Sequence, residues 1–150
     1  MKSSKHPIIY HSSYDLPLPE RHRFPGTKYS LLIAELERSG LIEKYLKYIP
    51  KPATAESLSI AHAPSYIEAV RAGNLTKQQQ AILGLPWSEA LKQRSFVAPN
   101  GTLLAAQLAL QTGIACHAAG GTHHAHRDFG AGFCVFNDLA FAALAVLKLK

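Results

Sequence analysis

The feature that most restricts the fold of this chain is an alternation of short β-branched runs with stretches of helical periodicity. Residues 7–11, PIIYH, predict an opening strand, and residues 57–61, SLSIA, predict another. Between them, apolar residues recur at helical spacing from Thr27, through a break at Gly40, to Leu46. Such alternation favours an α/β fold with a mostly parallel sheet, in which sites lie in the loops at the carboxyl ends of strands.

Further helices are predicted downstream. Pro64 near the first turn and Gly73 after the last delimit a helix over PSYIEAVRA, in the usual order of helix punctuation. Shorter helices are expected at about 77–83 and 87–92, and a longer one at about 101–111, where the face is rich in Leu and Ala. The order of elements therefore continues to support an α/β class.

The C-terminal segment predicts a helix that must be covered on all sides. Asn137 or Asp138 can cap it, and its sequence from residue 139, LAFAALAVLKLK, has no polar face before Lys148. We expect either a dimer interface or additional chain to cover this helix.

Composition excludes several classes. The formal net charge of +6 comes from 16 basic and 10 acidic residues that are spread along the chain, so direct nucleic-acid binding is not expected. The longest strictly apolar run, Leu139–Leu147, is too short to cross a bilayer. The N-terminus has no apolar signal region, and Cys116 and Cys134 are the only cysteines, which favours a cytoplasmic location without a disulfide framework.

The functional signal is the stretch GGTHHAHRDFGAGFCVFND, residues 120–138, which follows the extended segment GIACHAAGG. On an extended backbone His124 and His126 would share one side and His123 the other, whereas a turn would bring His123 and His124 together. The sequence leaves both arrangements open.

Two neighbouring imidazoles suit amide hydrolysis, in which a base takes a proton from attacking water and an acid gives one to the leaving amine. Gly130 and Gly132 would allow a close backbone approach to substrate, and Phe133 offers an apolar wall. Cys134 lies between Phe133 and Val135 with no adjacent charge to lower its pKa, so a buried structural thiol is favoured over a nucleophile.

This stretch resembles the tandem-histidine and GFC segment of the histone deacetylase family, which includes bacterial acetylpolyamine and acetoin-utilisation-type proteins. Upstream, LPLPERHRFPGTKYSLL is similar to the HRFPM-x-KY segment of bacterial and class IV-like members, and LSIAHAPSYIEAV to their H-x-P-x-Y stretch. RSFVAPNGTLLAAQLAL resembles the helix before the histidines. One departure is Gly26, where Met is common.

The resemblance implies an arginase-like α/β fold and a role for each matched residue. His123 and His124 would be the catalytic pair, with His124 as general base and acid and His123 assisting electrostatically. Gly132 and Phe133 would line the acyl-lysine channel, and Arg23 matches an arginine near the family's inner cavity.

The resemblance also implies zinc, held in the family by an Asp-x-His pair and a further Asp that come after this region. We therefore interpret residues 1–150 as the N-terminal portion of a single deacetylase-like domain, inactive alone, with no metal ligand of its own. The expected partners are an acylated amine or acetyl-lysine substrate, a complementing C-terminal half, or a second copy of the chain.

Two alternatives remain open. The HAHRDF stretch, residues 124–129, comes within one residue of the H-x-H-x-D-H pattern of metallo-β-lactamase-like hydrolases, with Phe129 in place of the final histidine. The chain could instead be a non-catalytic interaction module that binds a partner through its apolar C-terminal helix.

Overall fold

The sheet is parallel throughout. The computed structural model describes residues 5–148, and its strands are β1 (His6–Ile9), β2 (Tyr45–Tyr48) and β3 (Cys116–His117). β1 lies in the centre, paired with β2 in the register His6 to Tyr45 and with β3 in the register Ile8 to Cys116. This arrangement confirms the predicted α/β class with a parallel sheet.

Six α-helices and two short 3₁₀ helices accompany the strands in the described part of the chain. The α-helices are α1 (Lys28–Arg38), α2 (Ala55–Leu58), α3 (Pro64–Ala72), α4 (Lys77–Leu83), α5 (Glu89–Thr112) and α6 (Asp138–Leu147), and the 3₁₀ helices are Ser12–Tyr14 and Leu41–Lys44. The predictions for α3 and α4 are confirmed, because both have the expected ends: Pro64 opens α3, and left-handed Gly73 and Gly84 close them.

The helical prediction beyond Gly40 is wrong. Gly40 adopts a left-handed conformation with φ 72°, which ends the helical segment, and the chain then forms a short 3₁₀ turn and strand β2. Leu46, expected on a helix, therefore pairs with Pro7 in the sheet. A four-residue strand, YLKY, is too short for its periodicity to be distinguished from that of a helix.

The strand predicted over SLSIA is also wrong. Thr54 and Ser57 form reciprocal side-chain to backbone hydrogen bonds of 3.0 and 3.1 Å, a capping box that starts α2. Leu58 is buried at the end of this helix, so the apolar residues face the core from a helical turn.

The helices predicted at 87–92 and 101–111 are parts of one 24-residue helix, α5, although Pro99 lies inside it. The Ser88 side chain caps the helix by accepting from the Leu91 amide at 3.1 Å. Around Pro99 the helix is buried, at Val97, Ala98 and Gly101. Tertiary packing thus outweighs the helix-breaking preference of proline.

Helix α6 begins where the sequence predicted. The Asn137 side chain accepts from the Ala140 amide at 3.0 Å and is the N-cap, while Asp138 is the first helical residue. The prediction extended to residue 150, but the last two residues lie outside the described range. α6 packs along α5 and buries Phe141 and Ala142, leaving Leu139, Leu144 and Leu147 exposed.

Two apolar clusters form the core. The larger joins α3, α4, the start of α5 and the segment before α6; among its most buried members are Leu58, Ile67, Val70, Leu83, Leu85, Phe136 and Phe141. The smaller contains Tyr14, Tyr29, Val97, Ala98 and Ala119 and lies under the loop that follows β3. No helix within residues 5–148 has the length and apolar character to cross a membrane.

Candidate functional site

The loop that connects β3 to α6 brings the tandem histidines together. The ring centroids of His123 and His124 are 4.1 Å apart with 40° between the ring planes, so the loop adopts the turned arrangement and not the extended one. Both side chains are exposed. The His123 Nδ1–H donates to the Gly121 carbonyl at 3.0 Å, which fixes the tautomer of the neutral ring and leaves the Nε2 lone pair available.

A tight turn places Gly132 against this pair. Gly132 and Phe133 both have positive φ, 54° and 67°, and the flanking Ala131 and Cys134 exchange two backbone hydrogen bonds of 3.1 and 2.8 Å. A two-residue turn with positive φ at both central positions is a type I′ turn. A Cβ on Gly132 would lie 3.1 Å from the His124 ring, so glycine lets the imidazole lie directly on the turn.

Phe133 adopts this unfavourable conformation because its surroundings hold it. Its amide donates to the Leu83 carbonyl at 2.8 Å, and its ring centroid lies 5.4 Å from that of Phe24 and 6.1 Å from that of His22. A Cβ on Gly84 would approach the Phe133 ring to 2.9 Å. The family-like HRFPG and GFC segments, which are distant in sequence, therefore meet at one aromatic contact.

A cavity of about 230 Å³ lies behind the turn, between α1, α5 and the loop. Its lining comprises Phe24, Lys28, Tyr29, Arg94, Cys134 and the residues at 118–122 and 132–133. The arginine of this cavity is Arg94, which is buried and donates to the Tyr29 hydroxyl at 2.6 Å. Arg23 is exposed and is not part of the lining, so its predicted role at an inner cavity stays a prediction.

The start of the histidine loop is anchored by Asp138, whose side chain is completely buried. Its two oxygens accept from the amides of Gly121 and Thr122, at 3.0 and 2.8 Å, and from the hydroxyl of Thr102 at 2.6 Å. In return, the Asp138 amide donates to the Thr122 hydroxyl at 3.1 Å. The loop backbone immediately before His123 is thus fixed to the start of α6.

Behind Asp138, the side chains of Thr102, His117 and Tyr14 form a hydrogen-bonded series in which each member donates toward the carboxylate. Because Thr102 donates to the carboxylate, its oxygen accepts from His117 Nδ1–H at 3.0 Å, and His117 Nε2 accepts from the Tyr14 hydroxyl at 2.7 Å. Burial and then the nearby positive charge of Arg94 lower the pKa of His117 to about 4, so the ring is neutral at pH 7. Burial likewise raises the pKa of Tyr14, which stays a donor.

The H-x-P-x-Y stretch holds the other end of the loop. His62 Nε2 accepts from the Asn137 amide at 2.9 Å, and the Tyr66 hydroxyl donates to the Val135 carbonyl at 2.8 Å. The Asn137 side-chain amide donates to the carbonyls of His123 and Ala125, both at 3.2 Å. Burial lowers the pKa of His62, which keeps Nε2 available as an acceptor at neutral pH.

The metal-binding potential of these residues is small. Within residues 5–148, no group of three or more His, Cys, Asp or Glu side chains is placed to hold a metal ion. His126 stacks on Phe129 with 4.3 Å between ring centroids, and the carboxylate of Asp138 is occupied by its three donors. Cys134 is buried, as the sequence predicted.

A family profile described as the histone deacetylase domain matches residues 22–150. The chain belongs to the histone deacetylase family. An uncharacterized protein of Picosynechococcus sp. is 45% identical over 140 residues, covering 93% of this chain and 47% of that protein. The acetoin utilization protein AcuC of Bacillus subtilis is 36% identical over 153 residues, covering 94% of this chain and 39% of that protein.

A plant histone deacetylase and one solved structure are also similar to this chain. Histone deacetylase 2 of Arabidopsis thaliana is 29% identical over 157 residues, covering 98% of this chain and 41% of that protein. The crystal structure of the HDA15 HD domain matches with a TM-score of 0.79 at 17% identity, covering 99% of this chain and 44% of that one, which shows the fold. The chain therefore spans less than half the length of these relatives.

Several residues of the site were not singled out from the sequence. Thr102, His117 and Tyr14 lie on three different elements, and no spacing in the sequence links them. Asp138 was considered only as a helix cap, and its position beside Asn137 gave no sign that it would turn inward. Arg94 is one of 16 basic residues, and only its burial in the fold distinguishes it.

Proposed function

We propose that this chain supplies the catalytic histidines of a zinc-dependent deacetylase that removes acyl groups, acetyl in particular, from lysine or polyamine-type amines. The observation that carries the proposal is the pairing of His123 and His124 at 4.1 Å, with His124 lying on the Gly132 turn, in a member of the histone deacetylase family. A pair of exposed imidazoles beside an aromatic turn is suited to proton transfer at an amide that enters past Phe133.

In this proposal His124 is the general base and then the general acid. It takes a proton from the attacking water and returns one to the nitrogen of the leaving amine, so that the C–N bond breaks to give a carboxylate and a free amine. His123 stabilises the charge that develops nearby. Its Nδ1–H is already used by the Gly121 carbonyl, so only Nε2 can face the reacting atoms.

In this proposal the turn at Gly132 and Phe133 positions the substrate. The acyl-amine chain would pass between Phe133 and the histidines, where the exposed backbone of Gly132 adds no side-chain bulk. Acetyl-lysine and acetylated polyamines share the feature this channel needs, a narrow aliphatic chain ending in a secondary amide.

Residues 5–148 do not provide a complete set of ligands for the zinc ion of this proposal. His123 and His124 belong to no group of three ligands within residues 5–148, so the Asp-x-His pair and the further Asp implied by the family would have to come from residues after 150. Zinc would supply a Lewis acid for the amide carbonyl. We accordingly propose that the 150-residue chain alone is inactive.

The test uses an extended protein, defined as residues 1–150 followed by the part of the Picosynechococcus relative that comes after its matched region. We expect the extended protein to hydrolyse a fluorogenic acetyl-lysine amide or an acetylpolyamine, and His124→Ala to lower kcat by about 10²- to 10⁴-fold. Zinc content, measured by mass spectrometry, should be unchanged because His124 moves protons and is not a ligand.

His126→Ala is the matched control, since this exposed histidine lies two residues away and stacks on Phe129. It should leave kcat within about threefold of the unsubstituted protein, as for most surface changes. Hydrolysis by the lone 150-residue chain, or full activity in His124→Ala, would contradict the proposal. The cytoplasmic location and the absence of direct nucleic-acid or membrane binding remain predictions from the sequence.

A further inference from the structure

The buried carboxylate of Asp138 is connected to the imidazole of His123 through two consecutive hydrogen bonds. Asp138 Oδ1 accepts from the Thr122 amide at 2.8 Å, and the carbonyl of the same peptide group, that of Gly121, accepts from His123 Nδ1–H at 3.0 Å. The carboxylate therefore fixes the peptide that in turn fixes the orientation and tautomer of the His123 ring.

The neighbouring residue fixes the second histidine. Asn137 donates to the carbonyls of His123 and Ala125, the residues on either side of His124. Asn137 and Asp138 are consecutive at the start of α6, so one rigid helix end determines the position of both histidines.

The carboxylate itself is held from behind. Thr102 on α5 donates to it, and the chain through His117 to Tyr14 gives every member of the series one defined direction of donation. A Cβ at Gly120 would approach His117 Nδ1 to 2.6 Å, and a Cβ at Gly101 would collide with the Tyr14 hydroxyl and the His117 ring. The absence of a side chain at Gly101 and Gly120 thus makes room for the side chains of His117 and Tyr14.

We propose that Asp138 is a positioning residue for the tandem histidines, oriented by the Thr102, His117 and Tyr14 chain. This role rests on the proposed deacetylase function of the same site. All three groups that contact the Asp138 side chain, the Thr102 hydroxyl and the amides of Gly121 and Thr122, are hydrogen-bond donors. A carboxylate, which only accepts, therefore fits this position, whereas the NH₂ group of an amide does not. In Asp138→Asn, the new amide would face one of these donors and displace the loop.

The loss of kcat on substitution should decrease along the hydrogen-bonded series from Asp138 through Thr102 to Tyr14, as the distance from the histidine loop increases. In the extended protein, we expect kcat to fall about 10- to 100-fold in Asp138→Asn, about 10-fold in Thr102→Val and about twofold in Tyr14→Phe. KM should change less than about threefold in each, because misplacement of catalytic groups affects the transition state more than substrate binding. Thr102→Ser, which keeps the hydroxyl, should restore kcat.

A second measurement is independent of catalysis. Selective ¹⁵N labelling of glycine, threonine and histidine in the extended protein should show slow amide exchange at Gly121 and Thr122, and a His117 ring protonated at Nδ1 alone. Asp138→Asn should remove the amide protection. Asp128→Asn, an exposed aspartate in the same loop, is the matched control and should change neither protection nor kcat.

The two measurements separate this proposal from the proposed function. If the extended protein hydrolyses no acyl amide but Asp138→Asn and Thr102→Val both lose the Gly121 and Thr122 protection, the deacetylase function fails and the anchoring role stands. If the extended protein is active and Asp138→Asn keeps both kcat and amide protection, the anchoring role is overturned. Equal losses in Thr102→Ser and Thr102→Val would also overturn it, because the hydroxyl would then not matter.

Discussion

Helix α5 has two contrasting regions. Near its middle, Gly101 packs against, and Thr102 belongs to, a partly buried series of hydrogen-bonded side chains in which His117 and Asp138 have a partner for each of their side-chain polar atoms. Near its C-terminal end, Leu110 is 72% exposed and lies beside the exposed leucines of α6. The polar region is complete within residues 5–148, whereas the apolar region is left uncovered by them.

This contrast separates two kinds of function for the same helix. The polar region determines how the histidine loop is held, and it needs nothing from outside the described residues. The apolar region is suited to burial against more protein, because contiguous exposed apolar surface favours association. Stability should therefore respond to the polar region, and association should respond to the apolar one.

The largest effect on stability should come from pH acting on His117. The unfolded chain takes up this proton near pH 6.5 and the folded chain near pH 4, so between these values the unfolded state binds more protons and stability falls as pH falls. The full interval lowers the free energy of unfolding by about 3 kcal/mol, at about 1.4 kcal/mol per pH unit. The lowered pKa of His62 acts in the same direction.

Denaturant titrations of the extended protein at several pH values would measure this slope. His117→Gln should flatten the slope between pH 6.5 and 4, while the same substitution at exposed His126 should leave it in place. An equally steep slope in His117→Gln would mean that the His117 imidazole is not the group responsible.

A smaller loss is expected from Gly101→Ala. In a helix this change normally adds about 1 kcal/mol of stability, but here the new methyl group collides with the Tyr14 hydroxyl and the His117 ring. Overpacking of this kind costs about 1–3 kcal/mol, and the hydrogen bond between Tyr14 and His117 would also be lost, so we expect a net loss of about 2 kcal/mol.

Gly40→Ala provides the comparison for this measurement. Gly40 has φ 72° with open space around it, so alanine there introduces backbone strain without a collision, and the cost should be about 1 kcal/mol. A Gly101→Ala protein as stable as the unsubstituted one would show that the polar chain has room to move, which would weaken the case for a rigid anchor.

The sequence predicted the fold class and the ends of several helices because these depend on local signals. Pro64 and Gly73 delimit α3, and the capping side chain of Asn137 starts α6, as expected. The errors at β2 and α2 concern segments of four residues, where hydrophobic periodicity is too brief to distinguish helix from strand. The helices predicted at 87–92 and 101–111 are one helix, α5, because burial of the helix around Pro99 outweighs the local preference of proline.

In the candidate site, too, the residues predicted from the sequence are local in sequence, and those that were missed are distant. His123, His124, Gly132 and Phe133 are adjacent in sequence, and the fold does bring them together. The residues that hold them, Asp138 and the side chains behind it, come from elements as far apart as positions 14 and 138. Their contacts depend on the packing of α5 against the sheet and α6, which no single-sequence pattern encodes.

The smallest effect on stability, and the clearest on association, should come from the apolar region. Leu110 and Leu147 are 72% and 64% exposed, so replacing both by Gln should change the free energy of unfolding by less than about 0.5 kcal/mol per site. We expect the 150-residue chain to self-associate in sedimentation velocity at micromolar concentration and the double variant to shift toward monomer. Leu31→Gln, at an equally exposed leucine (63%) on α1, is the control and should leave association unchanged.

If the apolar region is covered by the C-terminal part in the extended protein, that protein should be less associated than the lone chain, and the double substitution should destabilise it. A lone chain that is monomeric, with no response to either variant, would mean that the exposed leucines of α5 and α6 do not drive association.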